Sequence, residues 1–88
     1  MSCMALHEDK VWLVGGWTPT FIKDETWILQ RDETWSKGPY LKMGRFNHAC
    51  GTFHQLDVEI LVVAGGENDK TLNSVELHYQ GAAEFVIG

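Results

Sequence analysis

The sequence predicts an all-β chain of two antiparallel four-stranded units, and three observations carry that reading. An apolar run closing on paired glycines occurs twice, Lys10 to Gly16 (KVWLVGG) and Glu59 to Gly66 (EILVVAGG), with the pairs 50 residues apart. After a loop, each pair is followed by a short strand-like run, Thr26 to Gln30 (TWILQ) and Ser74 to Tyr79 (SVELHY). No stretch of useful length has helical periodicity, whereas β-branched and aromatic runs alternate with glycine-containing turns. Recurrence at a period of this size is the signature of repeated structural units.

Residues 1–6 and 10–16 read as a hairpin around a polar turn, His7-Glu8-Asp9. Val11, Trp12, Leu13 and Val14 are apolar without alternation, as in a strand covered on both faces. Trp17 to Lys23 reads as a loop around Pro19, Glu25 to Gln30 as a third strand, and Glu33 to Lys37 as a fourth after an Arg31-Asp32 turn. Gly38-Pro39 and Met43-Gly44-Arg45 mark the crossing to the second unit, giving units 1–40 and 41–88. There Asn47 to His54 and Asp57 to Ala64 form a hairpin, and Glu67-Asn68-Asp69-Lys70 is a polar loop. In Ser74 to Tyr79 the alternation is clean, with Val75, Leu77 and Tyr79 on one face and Glu76 and His78 on the other. Ala83 to Ile87 closes the unit.

With 88 residues, 44% hydrophobic and 22% charged, the composition is that of one small globular domain. At this length only ~60–65% of the unfolded chain's surface is buried on folding. Seven Lys and Arg against twelve Asp and Glu leave a net charge of −5 and no basic stripe to neutralise phosphates, which argues against a nucleic-acid partner. No apolar run reaches the ~20 residues of a membrane helix, and the N-terminus lacks the basic start and apolar core of a signal peptide. A cytoplasmic protein is the resulting expectation, with an extracellular one as the alternative if an N-terminal signal is missing from this chain. Aligning Cys3-Met4-Ala5-Leu6 with Cys50-Gly51-Thr52-Phe53, given three extra residues in the second hairpin loop, makes the two cysteines equivalent positions of neighbouring units. They are therefore expected to be separate, reduced thiols packed as small hydrophobes.

Several landmarks then occur in a fixed order: Gly15-Gly16 and Gly65-Gly66, Val75-Glu76, Trp35, Pro39, Met43, Arg45 and His48. In this the chain resembles the kelch repeat, over nearly its whole length. The resemblance implies two kelch-like blades forming part of a β-propeller, an architecture with typically 4–8 blades. The first unit has no Arg and His before its first strand, and Phe85 stands where the second unit's tryptophan falls. Two blades alone leave apolar faces at both ends, around Val11, Leu13, Ile60 and Val62. The expectation is a fragment of a longer propeller, with further blades in cis, or self-association of copies around a ring.

The candidate sites follow from that frame. The glycine pairs lack any GxGxxG or GxxxxGK[ST] context, so a backbone role is expected for Gly15, Gly16, Gly65 and Gly66. His48, Cys50 and His54 share one strand face, yet zinc ligands converge within ~2.0–2.3 Å, while residues six apart lie roughly 20 Å apart. His7 and His78 have no ligand spacing to anything, so no metal is expected. Ser36 and Ser74 lack a GxSxG context, and no signature pairs Cys50 with His48, so neither an enzyme nor a cofactor is expected. The resemblance implies that Arg45 anchors the crossing between units, with Glu76 as its carboxylate, and that recognition lies on loops at one end. Those positions are Trp17 and Thr18 after the first glycine pair, Glu67, Asn68 and Asp69 after the second, and Phe46 with Asn47 after Arg45. The expected function is protein or peptide binding, as an adaptor or a fragment of a ubiquitin-ligase substrate receptor. The alternatives are accessory blades of a larger galactose-oxidase-like enzyme, or a degenerate structural piece without a ligand.

Overall fold

A computed structural model of the chain describes residues 3–17, 22–68 and 70–88, with the backbone alone for residues 17, 22 and 23. Two antiparallel four-stranded sheets make up the fold, and no described residue is helical. The first holds β1 (Cys3–His7), β2 (Lys10–Trp17), β3 (Ile22–Leu29) and β4 (Trp35–Lys37) in chain order. The second repeats that order with β5 (Ala49–Gln55), β6 (Val58–Ala64), β7 (Val75–Tyr79) and β8 (Val86–Ile87).

Both hairpins turn on two residues with positive φ, Glu8 and Asp9 at 55° and 66°, Leu56 and Asp57 at 51° and 66°. That is the geometry whose twist matches the flanking strands. The first turn is therefore Glu8-Asp9, and His7 is not part of it as expected but ends β1 fully buried. Other boundaries also moved. Backbone pairing of Trp17 with Ile22 carries β2 and β3 into the segment expected as a loop, whereas β4 and β8 shrink to three and two residues. β5 begins at Ala49 because Asn47, with φ at 55°, still belongs to the turn before it.

The sheets stack face to face. Trp12 and Val14 of the first meet Leu61 and Val63 of the second, with Leu41 and Phe85 closing the sides and Cys3, Ala5, Ile28 and Cys50 packed around them. Full burial of such side chains is worth ~1.5–3 kcal/mol each. Thr26, Arg45, Glu76, His7 and His78 are buried with them.

Cys3 and Cys50 are joined by a disulfide, with Cα atoms 6.2 Å apart, against the expectation of separate thiols. Register explains the correction. Cys3 pairs with Val14, the residue before the first glycine pair, whereas the residue before the second pair, Ala64, is opposite Ala49. Both hairpin loops are two residues long, and the second hairpin instead has longer arms. Cys50 is thus one position beyond the equivalent of Cys3, and a one-residue offset turns a side chain to the opposite sheet face. Two stacked sheets meet through opposite repeat faces, so the offset brings the sulfurs together.

Candidate functional site

Residues 45–48 run between the two glycine pairs and are held by both. Gly16 N–H donates to the Arg45 carbonyl at 2.9 Å, and Phe46 and Glu67 exchange backbone hydrogen bonds of 2.9 and 2.8 Å. The approach is close enough to exclude a side chain. A Cβ on Gly66, where φ is +88°, would lie 2.6 Å from the Phe46 carbonyl oxygen and 2.8 Å from His48 Cβ. A Cβ on Gly65, where φ is +66°, would meet the Leu72 oxygen at an ordinary contact distance of 3.7 Å. Its demand is therefore on backbone conformation alone.

Arg45 is completely buried and spends its guanidinium on the second sheet. Nη2 donates to Glu76 Oε2 at 2.8 Å and to Ser74 Oγ at 3.2 Å, while Nη1 donates to the Gly65 and Ser74 carbonyls at 3.0 and 3.1 Å. Glu76 is equally buried, and its carboxylate also accepts from the backbone N–H groups of Lys42 and Met43. Each charge thus has both an opposite partner and several hydrogen bonds, the condition under which a buried ion pair is tolerated. The pair shapes the crossing between sheets, and both side chains are fully buried. His48 Nε2 donates to the Val14 carbonyl at 2.8 Å, tying the crossing back to the first sheet.

Of the candidate recognition residues, Phe46, Asn47, Glu67 and Asn68 come together at one end of the molecule. Phe46 is half-buried, Asn47 and Glu67 are exposed, and the Asn47 amide reaches Glu67 Oε2 at 3.3 Å. Asn68 is half-buried; its backbone N–H donates to the Lys70 carbonyl at 3.0 Å and its Oδ1 accepts from the Lys70 N–H at 3.2 Å. Trp17 extends β2 one residue beyond Gly16 at the same end; Thr18 and Asp69 lie outside the described residues. Trp35, a landmark of the fourth strand, lies on the outer face of the first sheet, 45% exposed.

A second polar cluster had no sequence signal. His7 and His78, on β1 and β7, meet in the interface with Nε2 of the first 3.0 Å from Nδ1 of the second. The far nitrogen of His7 lies 3.1 Å from Glu59 Oε1, and that of His78 lies 2.9 Å from the Ala82 carbonyl. Trp12 packs against both rings, at centroid distances of 4.9 and 4.8 Å. Desolvation pulls His7 below the ordinary imidazole range, against the opposing charges of Glu8 and Glu59. A hydrogen bond from the Glu8 backbone N–H holds the Glu59 carboxyl below its own. The residues are 71 apart in sequence, so only the stacking of sheets reveals them.

No protein-family model matches the chain, and no curated protein matches its sequence.

Proposed function

We propose that the chain is a two-blade segment of a kelch-type β-propeller, blades 1–40 and 41–88, that binds a protein or peptide partner without catalysis. The observation carrying this reading is the reciprocal backbone pairing of Phe46 with Glu67, which joins the loop after the second glycine pair to the loop after Arg45. An aromatic surface beside an exposed carboxylate is the composition of a contact patch, the ring as anchor and the charge for complementarity. Asn47 and Asn68 lie beside it, and Trp17, Thr18 and Asp69 are the further positions that the resemblance assigns to recognition. Selection of peptides from a displayed random library against the oxidised chain tests it. Phe46→Ala is expected to weaken the selected peptides by ~1 kcal/mol or more with the fold retained. Selected peptides indifferent to both Phe46→Ala and Glu67→Lys would remove this surface from consideration.

The apolar outer faces favour one addition. Register pairs each outer position with a buried one a repeat away: Val11, Leu13 and Trp35 outside correspond to Leu61, Val63 and Phe85 inside. At these positions the outer face of the first sheet repeats the apolar chemistry of the second sheet's inner face, and further blades in cis or other copies of the chain are the proposed cover. Sedimentation of the purified chain reads this directly, since a monomer throughout the micromolar range excludes self-association.

A further inference from the structure

The hydrogen bonds around His7 and His78 do not close on their own protons. A carbonyl only accepts, so His78 Nε2 must carry a hydrogen to bond Ala82. An ionised carboxylate also only accepts, so His7 Nδ1 must carry one to bond Glu59, whose charge is favoured by the Glu8 N–H at the same oxygen. With both outer nitrogens protonated, two neutral rings point lone pairs at each other across 3.0 Å. The arrangement calls for a cation between them. We propose that His7 Nε2, His78 Nδ1 and the Glu8 carboxylate form a binding site for a divalent first-row transition ion, Zn²⁺ being the first choice, that clamps the two sheets together.

Four observations fit a metal ion at this place. Ligand atoms of His7, Glu8 and His78 fall within 4.8 Å of one another, so a third donor stands beside the two nitrogens. A nitrogen separation of 3.0 Å accommodates one ion at ~2.0–2.1 Å from both rings. Metal-bound imidazoles characteristically give their other N–H to a carboxylate or a backbone carbonyl, which is what Glu59 and Ala82 accept here. Finally, the Glu8 and Glu59 carboxylates together balance a doubly charged ion between two neutral rings. Two imidazole nitrogens suit zinc, nickel and copper rather than calcium or magnesium, which take oxygen ligands. A cleft of about 540 Å³ is lined by two of the three donors, Glu8 and His78, together with Trp12, Lys37 and Ala82, and gives access from the Glu8 side with room for a water as fourth ligand. Glu8 Oε2 already accepts from the Gly81 N–H at 2.6 Å, which holds the carboxylate at this edge. The clamp lies at the His7 end of β1, the disulfide at its Cys3 end.

Calorimetric titration of the full chain with zinc sulfate at neutral pH, its thiols fully oxidised so that no cysteine can bind, tests the site. One ion per chain is expected, with a melting midpoint raised by zinc and returned by EDTA. His54→Ala should leave this unchanged, since His54 lies 3.6 Å from the other oxygen of Glu59 and outside the donor set. Glu59→Gln should weaken binding by ~10–100-fold, and Glu8→Gln, at a half-buried turn position, should weaken it while the metal-free chain stays folded. In nitrogen NMR, zinc should shift His7 Nε2 and His78 Nδ1 and leave His48 in place. Absence of saturable binding, binding abolished by His54→Ala, binding indifferent to Glu8→Gln, or ring nitrogens sharing a proton that zinc does not displace would each overturn the proposal.

Discussion

Each sheet has one face in the interface and one outside it, and the repeat makes these comparable position by position. Phe85 is wholly buried beside His78, whereas Trp35, its counterpart in register, is 45% exposed. Met4 and Leu6 stand 66% and 62% exposed on the outer side of β1, while Cys3 and Ala5, which alternate with them, pack into the core. The same strand pattern therefore yields a core or a bare face according to whether a neighbouring sheet is present. What separates the inner pair from the outer pair is its polar seam: Arg45 with Glu76, His7 with His78, and the disulfide, all of them between or beside the stacked faces.

The largest test of this comparison replaces the two counterparts. Phe85→Ala should cost ~3–5 kcal/mol, as large-to-small changes in a packed core do. Trp35→Ala should cost under ~1 kcal/mol in the monomer, where its ring is partly in water. Denaturant melts of both variants give the contrast, and sedimentation adds the sharper half: if outer faces are covered by other copies, Trp35→Ala lowers the association. Equal losses of stability would mean that the outer face of the first sheet packs as tightly as the inner one.

Next in size is the disulfide. It closes a long loop, with a sequence separation of 47, and links of this kind typically stabilise by ~2–4 kcal/mol, chiefly by restricting the unfolded chain. Reduction, or Cys3→Ser, should lower the denaturation midpoint by that order without changing the sheet signal at low denaturant. Two titratable thiols in the air-equilibrated native protein would show that the bridge does not form.

Why the bridge escaped the sequence is instructive. The repeat itself was legible, since the glycine pairs at a spacing of 50 and the alternation in Val75 to Tyr79 place all eight strands in order. Register was not legible, because hairpin arms can lengthen by whole residues with no change in the glycine spacing, and a one-residue error reverses every side chain. His7 was hidden for the same reason. A turn shorter by one residue moves it from solvent into the interface. The pairing of Arg45 with Glu76, by contrast, is an implication of the resemblance rather than a reading of the residues, and the two lie 2.8 Å apart.

The glycine pairs supply a prediction of intermediate size. Gly66→Ala must place a Cβ against the Phe46 oxygen, on a backbone that side chains rarely adopt. The two demands together should cost on the order of 1–3 kcal/mol. Gly65→Ala meets the conformational demand alone and should cost less. Thermal melts rank the two, and a reversed order would remove the close-approach argument at the crossing.

The smallest effect is the pH dependence contributed by His48, where the crossing touches the first sheet. Its Nε2–H is committed to the Val14 carbonyl, and among the described residues its buried Nδ1 has no hydrogen-bond partner. Protonation there would create a donor without an acceptor, near the Arg45 charge. Burial accordingly lowers its pKa from the ordinary 6.5, with Arg45 acting in the same direction and the Val14 bond against it. The sign follows from linkage. As pH falls below 6.5 the unfolded chain takes up a proton that the folded chain refuses, so stability present above that pH is lost on acidification. One group contributes at most about 1.4 kcal/mol per pH unit. Other histidines titrate in both chains, so the readout is a difference: with EDTA present, His48→Gln should flatten the loss of stability between about pH 7 and 5 relative to wild type. The carboxylates with lowered pKa, Asp32, Glu59 and Glu84, act at lower pH and leave this window clear. Parallel curves for the two chains would place the His48 ring in contact with solvent, and its bond to Val14 would then do no more than orient the side chain.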